Sequence, residues 1–475
     1  MSRDIECRDK DPSGSGREEN NMRKALGLIL AGAAFISAPQ AIAQEKLTVW
    51  FNKGFYPAED IALNQVIERF QQKTGVKVEL SLFGVEDIIT KSVSAVEAKN
   101  PPDVGFGWTY DFRTAGKWAS EGKLEDVSDI VEPLRDKLLP GVAERAYLLG
   151  ADGKRRYYGI PVYQQTMHAN YWVDMLQEAG FKESDIPQDW KGYWSFWCDK
   201  VQPALRAKGK RIYGIGHPSS VEASDTFYSF LSYVNAYDAS PVDKDGKLLI
   251  NDPKVKANMA AALKDYTEIV QKGCTPPGSL SWKDVDNNVA FHNKTTPMTH
   301  NATISLPGKH MDDMLNAKDD ATKAQAKKNY EELIRTATWP NKPDGKPLPN
   351  LVSTKLGVVF ADAPNKKRAK EFFAFLLQPE NLTAYTEGSL GRWFPVMKES
   401  AESAFWQADP HRKTVYTQFV KQPTVPFQFI YNYKFTTVNA ENVWGRAMSR
   451  VVQDKLTPEQ AVDEMFARIK QLVEG

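Results

Sequence analysis

Between residues 47 and 80 the apolar period changes twice, and that change decides the fold class. "LTVWF" (47–51) is a β-branched and aromatic run of strand length. After the loop Asn52-Lys53-Gly54, Ile61, Leu63, Val66, Ile67 and Phe70 are assigned to one helical face, and Gly75 stands where a helix would stop. "VKVEL" (76–80) then alternates as a strand does. Strand, helix and strand in that order make a crossover unit, and such units build α/β layers with parallel strands.

The rhythm continues downstream. "VEDIITKSVSAVEAKN" reads as a helix and leads through Pro101-Pro102 into "DVGFGW", a third strand with turn residues beyond it. In "YYGIPVYQQTMHANYWV" (157–173) two strands are expected around a polar turn. Pro161 cannot donate to a ladder, so it marks an edge or a crossing between sheets. "RIYGIG" (211–216) is expected as a strand, 224–237 and 254–272 as helices, and "SWKDVDNNVAFHN" as a helix running into the strand "TTPMTHN". The charged segment 309–335 reads as one exposed helix, and 339–350 as a proline-rich loop. "LVSTKLGVVF" (351–360) is a strand followed by a helix that buries Ala369, Phe372, Phe373, Leu376 and Leu377. Thr457-Pro458-Glu459-Gln460 is a capping box with proline at the first helical position, opening a last helix that buries Val462, Met465, Phe466, Ile469 and Leu472.

With 475 residues the chain exceeds one ordinary core, and two domains are expected. From Met22 it runs MRKALGLILAGAAFISAPQAIAQ: two positive charges, an apolar stretch and an Ala-Ile-Ala junction, which is the order of a cleavable secretory signal peptide over 22–43. Residues 1–21 then read as a disordered lead or a misassigned start. Export implies a periplasmic location. The 61 basic and 60 acidic residues leave a formal charge of +1, so nothing draws the protein to nucleic acid. Beyond the leader, Cys198 and Cys274 either pair or stay as buried thiols; spacing alone does not choose.

No metal is expected, because none of the six histidines has an i,i+4 partner or a cysteine at ligand spacing. Nucleophile elbows and phosphate loops are missing too, and no cofactor is expected. What the chain does carry is 12 tryptophans and 18 tyrosines, many beside turn signals. Trp108-Thr109-Tyr110-Asp111, Tyr163-Gln164-Gln165, Trp194, Trp197, Trp282 and Arg392-Trp393-Phe394 are the clearest. A ring offers a flat apolar face to the C–H side of a sugar, while amides, carboxylates and guanidinium groups bond its hydroxyls. Trp50, Trp118, Trp172 and Trp444 are read as core.

The order of these segments resembles the periplasmic carbohydrate-binding proteins of ABC transporters, the maltose-binding type of extracellular solute-binding protein. The resemblance rests on "LTVWFN" with "VIERFQQKTGVKVEL", on "PPDVGFGW…WASEGKLEDV", on "YYGIPVYQQTMHANYWVDMLQEAGF", on "FHNKTTPMTHNATI", on "KLGVVFADAPNKKRAKEFFAFLL" and on the helix after "DKLTPEQAVDEM". It implies an α/β, two-lobed fold with two doubly wound sheets joined by a three-crossing hinge. The crossings fall near Pro161-Val162, Ser353–Lys355 and Phe394–Met397, giving lobe one as 44–160 and 356–392 and lobe two as 163–352 and 398–475. Ligand contacts are expected from Asn52, Trp108, Tyr110, Asp111, Gln164, Gln165, Trp282, His300, Asn301, Thr303, Arg392 and Trp393, with Asn439 or Asn442 as a further contact. Ile304 stands where the maltose type stacks a tryptophan. The implied function is a non-enzymatic, monomeric receptor that passes a small carbohydrate, a sugar, oligosaccharide or polyol, to an inner-membrane ABC permease. Two alternatives stand beside it. One is the same fold with a charged solute (a sugar phosphate, polyamine or amino-acid derivative), anions being favoured by Arg392 with Lys53 and cations by Asp111 with Asp286. The other is a periplasmic glycan-processing enzyme.

Overall fold

A computed structural model describes residues 45–475; the lead over 1–21 and the signal peptide over 22–43 lie outside the described residues. Strands β1 (Lys46–Asn52), β2 (Lys77–Phe83) and β3 (Val104–Phe106) form the parallel part of the first sheet, with β1 between the other two. Helix α1 (Pro57–Thr74) opens with Pro57 and stops at Gly75, whose φ of 72° is the left-handed conformation that glycine adopts without strain. Its buried stripe includes Leu63, Val66, Ile67 and Phe70. Ile61, assigned to that stripe by the sequence, is instead 51% exposed. Two residues before Leu63, it is turned by about 200° around the helix, onto the opposite face. Helix α2 (Val85–Glu97) returns the chain to β3.

Strands β4 (Tyr147–Leu149) and β5 (Arg155–Tyr157) form a hairpin, after which β6 (Ile160–Gln165) and β7 (His168–Trp172) follow one another into different sheets. Strands β8 (Ile215–Gly216), β9 (Met298–Asn301) and β10 (Ile334–Ala337) complete the second sheet in the order β10-β7-β9-β8. The first sheet is closed by β11 (Asn350–Val359), β12 (Phe394–Pro395) and β13 (Thr424–Pro426), in the order β12-β6-β11-β3-β1-β2 with β13 beside β11. Strand β11 is antiparallel to both β3 and β6. Pro161 is accommodated at an irregularity: Lys355 faces Tyr163 while Leu356 faces Pro161, so Val162 is an extra residue. A bulge breaks the ladder where the proline has no N–H to give.

Two large cores result. The first gathers Phe51, Phe70, Phe106, Phe372 and Trp393 around the first sheet, and Ala401, Trp406, Val415 and Phe419 join it from later in the chain. The second gathers Trp172, Trp197, Phe230, Leu263, Met298 and Trp444. Helices α3 (Ser224–Ala236) and α4 (Pro253–Gln271) cover it, and helix α5 (Asp286–His292) leads into β9. Of the four tryptophans read as core, Trp118, Trp172 and Trp444 are buried and Trp50 is partly exposed.

Several elements are shorter than their sequence patterns. In "RIYGIG" only Ile215–Gly216 pairs as strand, because Tyr213 bonds instead to the carbonyl of Thr295 and Gly214 lies against the Trp197 backbone. The helix expected from Ser281 starts only at Asp286, whose side chain accepts the Lys283 N–H at 2.8 Å and holds a turn ahead of it. The single helix expected over 309–335 is α6 (Ser305–Asn316), a separate α7 (Asp320–Lys328) and then β10; Asp319 accepts the Thr322 N–H and caps a fresh start.

Helix α8 (Lys366–Leu376) buries Ala369, Phe372, Phe373 and Leu376. Helix α9 (Pro458–Glu474) carries the capping box and buries Val462, Met465, Phe466 and Ile469, with Val473 rather than Leu472 completing the stripe. Cys198 and Cys274 form a disulfide with Cα atoms 5.2 Å apart. Among the described residues, no helix is long and apolar enough to cross a membrane.

Candidate ligand-binding site

Three chain turns of the first sheet and three of the second converge on one cavity. From the first come the loop after β3 (Trp108, Thr109), the end of β6 (Gln165) and the residues before β12 (Arg392, Trp393); from the second come the start of α3 (Asp225, Tyr228), the turn before α5 (Asp284) with Asn288, and the turn after β9 (Asn301, Thr303) with Ser305.

Aromatic rings and one cation form the first-sheet wall. Trp393 stacks on Tyr163 at 4.3 Å and stands 5.2 Å from Trp108. The Arg392 guanidinium lies 4.2 Å from the Trp108 ring centre and 4.5 Å from that of Trp393. Glu59, on α1, accepts from Arg392 at 2.8 and 3.0 Å and from the Trp393 indole N–H at 3.0 Å. Burial is the largest single influence on Arg392 and opposes its charge, but Glu59, joined by Tyr56 and Tyr163, holds the guanidinium above its ordinary pKa. The pair is neutral overall. Asn52 lies behind the wall: its Oδ1 accepts the Trp108 backbone N–H at 2.5 Å and its amide donates to Phe83, so it aims the Trp108 loop. Gly107 makes that loop possible, since a Cβ there would sit 2.4 Å from the Tyr110 ring.

The opposite wall is a polar lattice. Asn301 donates to Asn288, the Thr303 N–H donates to Asn301, the Ser305 N–H donates to Thr303 and Asn288 donates to the Ser305 hydroxyl. Asp225 accepts from Asn287 at 2.9 Å, while Asp284 accepts from the Ser224 N–H and hydroxyl. Burial first, and the Asp284 charge second, push the Asp225 carboxyl well above the usual range. Tyr228 accepts from Lys355 at 2.6 Å, and Lys355 is itself paired with Asp111 at 3.1 Å. Thr109, 1% exposed, has a hydroxyl with no protein partner among the described residues.

Of the twelve contacts expected from sequence, Trp108, Gln165, Asn301, Thr303, Arg392 and Trp393 line the cavity. The others stand elsewhere. Tyr110 is buried with its hydroxyl on Ser92. Asp111 faces Lys355, and Gln164 bridges Arg145 and the Pro395 carbonyl. Trp282 is half-buried outside the lining, near Gly278. His300 lies one layer behind, and its protonation follows from its partners. The Tyr266 carbonyl can only accept, so His217 Nε2 donates; His217 Nδ1 then accepts from His300 Nε2, and His300 Nδ1 accepts from Ser229. Burial pushes His300 down to about 3, so it stays neutral. Asn439 donates to the Phe112 carbonyl and Asn442 caps a helix, neither reaching the cavity. Ile304 is buried in the first core, 1% exposed, so no ring is missing from the cavity wall at that point.

Sequence reasoning passed over Asp225, Tyr228, Asp284 and Asn288. For Asp284 a signal existed in "WKDVDNN", but the wrong aspartate of the pair was taken: Asp286 caps a turn while Asp284 faces the cavity.

Two sheets meeting at a cavity walled by rings on one side and by amides, hydroxyls and carboxylates on the other define the class, a two-lobed small-molecule receptor. Solved structures with this fold include an ABC transporter solute-binding protein from Thermotoga lettingae TMO bound with alpha-D-tagatose, 20% identical, TM-score 0.72, covering 90% of this chain and 100% of that one. Another is a sugar transporter from Arthrobacter chlorophenolicus A6 with bound laminaribiose, 17% identical, TM-score 0.69, covering 90% and 99%. The chain belongs to the bacterial extracellular solute-binding protein family, whose model matches residues 65–414. It is also 22% identical over 464 residues to an arabinooligosaccharide-binding protein of Bacillus subtilis (strain 168), covering 94% of this chain and 96% of that protein.

Proposed function

We propose that this protein is a periplasmic or extracellular receptor that captures a sugar, oligosaccharide or polyol in the cavity and delivers it to an ABC import permease, without catalysing a reaction. The observation that carries this reading is the cavity's division of labour. Trp108 and Trp393 make one side aromatic, with the Gln165 amide beside them, and Asn288, Asn301 and Asp284 offer edge contacts on the other. A sugar ring presents the same two kinds of surface. Family membership and the sugars named for its relatives support it.

The lobes meet along β6, β11 and β12, which we take as the hinge. On that reading residues 398–421 go with lobe one, because Ala401, Trp406 and Phe419 pack in its core. Ligand that touches both lobes binds the closed state more tightly than the open one and shifts the population toward it, and the permease reads that state.

Tryptophan fluorescence and thermal unfolding across a carbohydrate panel test this. At a hundredfold excess over Kd one sugar class should stabilise the fold by about 2.7 kcal/mol. Silence across the whole panel would overturn the reading.

A further inference from the structure

Resting on the receptor reading above, we infer that the cavity selects a carbohydrate bearing a protonated amine, such as an amino sugar or aminocyclitol, and that Asp225 and Asp284 are the residues that hold the ammonium group.

The inference comes from charge accounting at the cavity wall. Among the described residues the lining holds one cation, Arg392, and two carboxylates, Asp225 and Asp284. Arg392 is already committed to Glu59 at 2.8 Å. The other buried cation nearby, Lys355, is committed to Asp111 at 3.1 Å and to the Tyr228 hydroxyl. Arg392 acts on Asp225, and Lys355 interacts with Asp284, only through space, and the donors bonded to the two carboxylates are neutral: Asn287 and the Ala302 backbone for Asp225, Ser224 for Asp284. Asp225 is 6% exposed, so water does little to screen it. Two carboxylates in one enclosed space repel, and burial favours a proton on Asp225 with no ligand bound.

An ammonium group supplies the missing positive charge and three N–H donors, where a hydroxyl supplies one donor and no charge. Thr109, lining the same cavity, has a hydroxyl with no protein partner among the described residues, a group left for a polar ligand to bond. Anionic sugars are disfavoured by the same accounting: Arg392 is neutralised before any uronate or phosphate arrives.

Isothermal titration calorimetry of the full-length mature protein decides it. The ligands are gluco, galacto and manno mono- and disaccharides, each in hydroxyl, amine, uronate and phosphate forms. The tightest binder should be an amine form, at least tenfold tighter than its hydroxyl counterpart at neutral pH. Asp225→Asn and, separately, Asp284→Asn should bring that amine-to-hydroxyl ratio to within threefold of one, with folding checked by circular dichroism. The ratio in the unsubstituted protein decides the matter even where a variant fails to fold. An amine no tighter than its hydroxyl counterpart, or a uronate or phosphate bound as tightly, overturns the inference and leaves the receptor reading intact. Binding of no carbohydrate overturns both.

Discussion

A single carboxylate organises the aromatic wall. Glu59 is 3% exposed and accepts from the Phe55 backbone, Arg392 and the Trp393 indole. Removing its charge leaves a buried guanidinium without its counter-charge, which costs about 3–5 kcal/mol. Glu59→Gln should therefore lower the chemical-denaturation midpoint by that equivalent, and Glu59→Gln with Arg392→Met should recover part of it. The histidines give a second prediction at this scale. All six are pushed below their ordinary pKa, burial being the leading cause each time: His168 and His292 to about 4, His300 and His310 to about 3, and His217 and His411 in the same direction. A lowered folded pKa means that the unfolded chain binds protons first as pH falls. The stability these groups contribute is thus complete above the unfolded value of about 6.5 and is lost on acidification toward the folded values. Each histidine contributes a slope of up to about 1.4 kcal/mol per pH unit in that window. Urea unfolding should show a loss of at least ~3 kcal/mol between pH ~6.5 and ~4.5; a flat profile there would mean the histidines are solvated. In the sequence His300 alone of the six was taken as a ligand contact, because a lone histidine does not disclose whether another histidine and a serine already satisfy it.

Among elements, helix ends with one unambiguous signal were legible, and an end that rested on a choice among similar residues was not. Thr457 and Gln460 exchange bonds as a capping box, and Gly75 ends α1, so both ends could be placed from the residues alone. By contrast, the break between α6 and α7 depends on Asp319 winning the Thr322 N–H, one choice among several acidic residues in a charged run. The disulfide was undecided for a related reason: pairing is a distance, and 76 residues separate the two cysteines. It joins the chain before β8 to the turn after α4, whose Cys274 carbonyl accepts the Ile215 N–H. Closing a loop of that length restricts the unfolded chain by about 4.5 kcal/mol on the chain-entropy account. Cys198→Ser with Cys274→Ser should lower the unfolding free energy by roughly that amount, read by equilibrium denaturation with the cavity left intact. Equal stability of the two proteins would place the effect elsewhere.

At the scale of the whole molecule the two cores are bridged by the small cluster of Tyr56, Ala58, Met311, Tyr330 and Leu390 and by polar links such as Lys355 to Tyr228. That cluster, with Ile304 in the first core and the Phe112 ring stacked on Phe227 at 4.3 Å, buries little beside either main core, so the lobes are expected to separate without unfolding. Small-angle scattering should show a smaller radius of gyration with saturating sugar than without it, and Asn301→Ala should raise the sugar concentration at which this happens. An unchanged radius at saturation would remove hinge closure from the mechanism. The sequence by itself determined the strand–helix alternation of the first sheet and the capped helix ends, because periodicity and capping are local and need no partner, and the order of its segments carried the resemblance to the family. Only the tertiary structure decided which aspartate faces the cavity, that Glu59 cancels Arg392, that Asn52 positions Trp108 from behind and that the two cysteines meet. Each of those is a distance between residues far apart in the chain, set by how the two sheets are packed and not by any neighbour in sequence.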